Sequence, residues 1–270
     1  MKNRFGFASH LGVGALAFAA GAGGTWLLRA HPMPHVHDAV TTHGEWVYIK
    51  KPTGDSLRAY VAYPERSDKA PAIIVIHEIF GLTDWEPTVG DKLAGQGYVA
   101  IVPDLLSSKF GMSPANPDSG RKLTALLQAD SVTADLYAAY HYVNKLSAVR
   151  KDHVGVIGFC WGGGQSFRFA TNNPKLKAAV VCYGPAPDST SLKRINAKVL
   201  GVYGEADARI NSQLPVVMDQ MKRLGKTFSA DSYPGTGHGF LKPGRKGADT
   251  DQPEKAWARI LGFFRETLER

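Results

Sequence analysis

The chain has 270 residues, 44% hydrophobic and 21% charged, which is globular composition and excludes a disordered or collagen-like chain. This length is enough for one α/β domain whose core needs no covalent staples. The net charge is +8; Lys2, Arg4 and Arg29 fall in the first thirty residues, where there are no acids, so the rest carries 8 − 3 = +5. No Lys/Arg block interleaved with aromatics occurs, which argues against a nucleic-acid partner and leaves a mild attraction for anionic small molecules.

The first thirty residues have the pattern of a targeting segment. Lys2 and Arg4 form a short positive region, residues 11–28 are uncharged and rich in Ala and Gly, and Ala20-Gly21-Ala22 is a small-residue cleavage site. Export to the periplasm or the exterior is the expectation. An uncleaved membrane anchor is the alternative, because Trp26-Leu27-Leu28 prolongs the apolar run, although its five glycines weaken it as a spanning helix. Residues 31–43 contain Pro32, Pro34 and four histidines (His31, His35, His37, His43). They read as a solvated linker, with a metal-binding tract as the alternative.

A single folded domain is expected over residues 44–270. Residues 46–49 and 57–63 read as two strands joined by a turn at Pro52-Thr53-Gly54-Asp55. Residues 72–77 form a continuous apolar run, as a strand buried on both faces requires. A helix over 89–96 and a strand over 98–102 follow, then an irregular Gly- and Pro-bearing stretch over 107–120. A helix over 130–146 leads to an apolar strand at 154–159 and a helix from Cys160 towards Thr171. Strands at 178–182 and 198–203, a helix at 214–224, a strand at 228–233 and a closing helix at 254–268 complete the chain. Trp257, Ile260, Leu261, Phe264 and Leu268 recur at helical spacing in that last segment and read as core packing. This alternation predicts an α/β fold, a mostly parallel central sheet flanked by helices, in the α/β-hydrolase arrangement.

The strongest chemical signal is Gly158-Phe159-Cys160-Trp161-Gly162. It places a nucleophile between small residues, after a strand and before a helix, where the chain must turn sharply. The N-terminus of that helix favours a thiolate and offers the Trp161 amide to a developing oxyanion. A Gly-rich turn around an inert Cys is the plain alternative. A nucleophile needs a base and a group to orient the base, and this fold supplies them in the order nucleophile, acid, histidine. Asp207, in Gly204-Glu205-Ala206-Asp207, and His238, in Gly237-His238-Gly239-Phe240, each follow a predicted strand, so both lie at the sheet edge that carries Cys160. Glu205 is the alternative acid, and His141 and His153 are alternative bases that precede the elbow. The other cysteine, Cys182, could form a disulfide with Cys160, but the elbow needs a free thiol and no C-x-x-C pair exists. The turn after the strand at 72–77 supplies a second oxyanion donor in this fold, and the Ile79 amide is the candidate. Glu78 would then stand beside the thiol, unless it serves as a capping or salt-bridge carboxylate.

These segments, with His77-Glu78-Ile79-Phe80-Gly81 and Pro103-Asp104-Leu105, resemble the dienelactone hydrolases, the carboxymethylenebutenolidase-like enzymes. The resemblance runs from about Gly44 to the C-terminus. It implies a Cys160–His238–Asp207 triad acting on a small ester or lactone through a thioester. It also implies a Glu78 that helps activate the thiol when substrate enters, no metal and no organic cofactor. No stable protein partner is implied. The dienelactone hydrolases proper hold a substrate carboxylate with two arginines; this chain has Ser107-Ser108-Lys109 near one position and Lys242 at the other. Lysine gives charge without a bidentate fork, so Lys109 and Lys242 are candidate anion-binding residues for several carboxylated substrates. A general short-chain carboxylesterase, or a binding protein that kept the scaffold, are the competing readings.

Overall fold

The computed structural model describes residues 42–270. The targeting segment and most of the histidine-bearing linker therefore lie outside the described residues. Eight strands form one sheet in the order β1-β2-β4-β3-β5-β6-β7-β8. The hairpin β1 (Thr42–Lys50) and β2 (Ser56–Pro64) lies at one edge, antiparallel within itself and against β4 (Val99–Pro103). From β4 onward every pairing is parallel, through β3 (Ala70–Ile76), β5 (Val149–Phe159), β6 (Ala178–Cys182), β7 (Lys198–Gly204) and β8 (Phe228–Tyr233).

The apolar runs are central because they are covered twice. Every residue of β3, β4 and β6 is buried. One face packs under α4 (Ala129–Lys145), α5 (Trp161–Asn172) and α7 (Leu214–Arg223) through Leu136, Val143, Phe167 and Met221. The opposite face packs under α1 (Trp85–Ala94) and α8 (Gln252–Leu268) through Leu93, Trp257, Ile260 and Phe264. The expected α/β architecture is thus present, with the closing helix in the core.

Two local differences from the sequence reading have physical causes. The stretch read as irregular holds two short helices, α2 (Ser107–Phe110) and α3 (Pro117–Thr124). The Asn116 side chain accepts from the Ser119 amide and Pro117 takes the first helical turn, so residues that resemble breakers here start a helix. The helix expected from residue 89 begins at Trp85, four residues earlier, which brings Glu86 into its first turn. A further short helix, α6 (Ala208–Asn211), follows Asp207.

Candidate active site

Cys160 sits between β5 and α5 with φ 56° and ψ −117°, a region that disfavours any residue with a Cβ and costs on the order of 1–3 kcal/mol. The turn is tight enough to explain the flanking glycines. A Cβ on Gly158 would stand 1.9 Å from the Gly162 carbonyl oxygen, and one on Gly162 would stand 2.3 Å from the His77 oxygen. The Cys160 amide donates to the Cys182 carbonyl at 3.0 Å, which anchors the elbow to β6. Cys160 is a partly exposed free thiol, whereas Cys182 is a free thiol sealed in the core, and burial pushes its pKa far up.

Asp207 and His238 meet at this edge. The His238 Nδ1 lies 2.5 Å from Asp207 Oδ2, and Asp207 is buried while the imidazole is one-third exposed. Burial pulls the His238 pKa down, but hydrogen bonds to Cys160 and Asp207 outweigh it, so the net direction is upward. With Nδ1 committed to Asp207, the other ring nitrogen is the one available to the thiol. Glu205 instead accepts from the Gly235 amide at 3.0 Å, tying together the loops after β7 and β8. His153 lies in β5, at the end remote from the elbow, and His141 lies on α4 stacked against Tyr137. Neither alternative base joins the site.

The turn after β3 is set by His77, which is fully buried. Its Nε2 accepts from the Leu105 amide at 3.3 Å, which leaves Nδ1 to donate to the Glu78 carbonyl at 2.7 Å. The ring also stacks on Trp161 at 5.5 Å. His77 therefore fixes the peptide that carries the Ile79 amide relative to the elbow. Neither the Ile79 nor the Trp161 amide donates to an acceptor among the described residues, as two oxyanion donors would require.

Behind this turn lies an ionic cluster. Lys242 Nζ is 3.0 Å from Glu78 Oε2 and 4.0 Å from Glu86 Oε1. Both carboxylates are buried, and the lysine side chain is only 18% exposed. Glu86 also accepts from the Thr83 amide and hydroxyl at 2.8 and 2.6 Å. Lys242, expected as an anion-binding residue, is here the counter-charge held by two buried carboxylates. The Lys109 ammonium donates to the Leu126 carbonyl and lies over Phe110, contacts that involve none of the other site residues.

A cation that sequence reasoning missed is Arg58. It stands opposite the end of β4, at the same sheet edge, with its guanidinium 3.5 Å above the Trp46 ring and 3.7 Å from the fully buried Asp104 carboxylate. Arg58, Trp46, Thr83 and Ser113 line an open cavity of about 360 Å³. In the sequence Arg58 was one residue of an edge hairpin, and only strand pairing reveals its place. Among the described residues no group of His, Cys, Asp and Glu is arranged to hold a metal.

The chain is similar to known proteins. The model of the dienelactone hydrolase family matches residues 57–268. A Salmonella typhimurium protein provisionally named carboxymethylenebutenolidase is 33% identical over 228 residues, covering 78% of this chain and 83% of that protein. A Yersinia pestis protein of the same name is 30% identical over 262 residues, covering 88% and 94%. The crystal structure of a Klebsiella pneumoniae protein provisionally named dienelactone hydrolase superposes with a TM-score of 0.76 at 26% identity, over 84% of this chain and 99% of that one.

Proposed function

Because the chain belongs to the dienelactone hydrolase family, hydrolases of ester or lactone bonds, we propose that it cleaves a small, carboxylate-bearing ester or lactone through a thioester on Cys160. The observation that carries this reading is the contact of Asp207 with His238 beside a thiol on a strained, partly exposed elbow.

In this reading a substrate carboxylate competes with Glu78 for the Lys242 ammonium, and Arg58 adds attraction at the same edge. Freed from Lys242, Glu78 accepts the Sγ proton. The thiolate attacks the carbonyl carbon while the Ile79 and Trp161 amides hold the oxyanion. The tetrahedral intermediate collapses to a thioester as the His238 imidazolium, stabilised by Asp207, gives its proton to the leaving oxygen. Neutral His238 then takes a proton from water, whose oxygen attacks the thioester. The acid departs, and the released thiolate recovers its proton from Glu78, so thiol, carboxylate and imidazolium are all restored. No metal or organic cofactor takes part in these steps. The first thirty residues fit an export role in the same proposal, tested by the N-terminus and cellular fraction of the protein from its native host.

Trapping tests the chemistry. Mixed with a slowly deacylating short-chain ester and acid-quenched, the protein should carry the acyl mass on the peptide containing Cys160, and prior iodoacetamide should abolish the label. An acyl group on another residue would overturn the assignment.

A further inference from the structure

Tyr183 directly follows the strand that ends at Cys182, and the proposed chemistry gives its hydroxyl no task. The residue is fully buried. Its backbone has φ 41°, an uncommon conformation for a residue with a Cβ, and its amide N–H donates a hydrogen bond to the Val202 carbonyl at 2.8 Å. Its ring stands edge-on to the His238 imidazole, with centroids 5.1 Å apart, and contacts Phe240 and Phe159. The hydroxyl has no hydrogen-bond partner among the described residues.

A hydroxyl buried without a partner costs free energy that a phenylalanine of the same shape would not. Such a group at an active site calls for an acceptor that is absent only part of the time. The neighbours are consistent with one. Ionisation of the phenol is opposed first by burial, then by the negative charge of nearby carboxylates, Glu78 ahead of Glu86. Of these, Glu78 is the carboxylate tied up by Lys242 at 3.0 Å in the resting arrangement. A carboxylate that leaves an ammonium inside a protein is desolvated and needs a replacement donor.

We propose that Tyr183 is a positioning residue for Glu78: its hydroxyl, unpaired at rest, donates to the Glu78 carboxylate once that carboxylate has left Lys242 and turned towards Cys160. The inference rests on the reading of Glu78 as acceptor of the thiol proton. The hydrogen bond fixes the rotamer from which Glu78 meets the thiol, and the phenol needs to break no existing bond to form it.

The test compares wild type, Tyr183→Phe, Glu78→Gln and the double variant in single-turnover acylation by one carboxylated chromogenic ester, with thermal melting of each. Tyr183→Phe should melt at or above the wild-type temperature. It should acylate about 10-fold more slowly, a usual loss for a hydrogen bond to a charged group, with unchanged dependence on substrate concentration. In the Glu78→Gln background the same change should cost nothing further. Wild-type acylation by Tyr183→Phe, a lowered melting temperature, or an equal loss with and without Glu78 would each overturn the proposal. If Glu78→Gln is slow and Tyr183→Phe is not, only the Tyr183 assignment falls. If Glu78→Gln acylates normally, the role of Glu78 falls and takes this inference with it.

Discussion

The two halves of the site are built differently. Cys160, Asp207 and His238 each stand just past their own strand, on β5, β7 and β8, and they meet because the sheet is parallel. Glu78, Glu86 and Lys242 come from a turn, the first turn of a helix and a loop 164 residues downstream, and they meet because buried charge must be paired. One half is set by strand order and the other by electrostatics, so they should fail in different ways.

The sharpest separation comes from the nucleophile. Cys160→Ala should lower ester turnover by at least about 10⁴-fold with an unchanged melting temperature. Cys182→Ala, which removes a sealed thiol from the core, should leave turnover within about twofold and lower stability instead. Turnover by Cys160→Ala within tenfold of wild type would end the assignment.

Next is the acid. Asp207→Asn should cost roughly 10³-fold in kcat, because the imidazole loses its orienting charge. Glu205→Gln, two residues away but bonded to the Gly235 amide, should cost less than about threefold. Reversed effects in steady-state kinetics would exchange their roles.

In the electrostatic half, Lys242→Met leaves two buried carboxylates without a counter-charge. It should destabilise by about 3 kcal/mol, roughly 6–12 °C in the melting temperature of a chain this size. KM for a carboxylated ester should also rise about fivefold, while KM for a neutral ester stays. Equal effects on both esters would make Lys242 a partner of Glu78 alone.

The smallest effect is a pH slope. The His238 pKa is raised in the fold, so the stability gained from its protonation is complete below the ordinary value of about 6.5 and is lost as pH rises through the folded value. The melting temperature of wild type should therefore fall more across neutral pH than that of His238→Gln. Parallel curves would mean that the imidazole gains nothing from Asp207.

The same division explains what the sequence revealed. The elbow and its partners were legible because each is a chemically distinctive residue after an apolar run, and the fold imposes their order. The Glu78–Lys242 pair was not, since nothing local links residues 164 apart, and Glu86 lay ahead of the helix as it was read. His77 was visible within a motif, but its two ring bonds needed the β4 segment beside it. Tyr183 followed an apolar strand, where an aromatic residue reads as packing and an unpaired hydroxyl leaves no trace.

The edge position of β8 bears on how activity is acquired and lost. Cys160 leaves the ribosome 238 − 160 = 78 residues before His238, so a nascent chain carries an elbow with no base until its last strand docks. In the finished protein β8 pairs only with β7, and one of its faces is held by Arg259, whose guanidinium grips Asp231 and Ser229 from α8. Peeling of this one strand withdraws His238 while β5, flanked by β3 and β6, keeps Cys160 in place. Warming should therefore silence turnover several degrees before the helical circular-dichroism signal collapses, and Arg259→Ala should widen that gap. Coincident loss of both signals in the two proteins would show instead that the edge and the centre melt together.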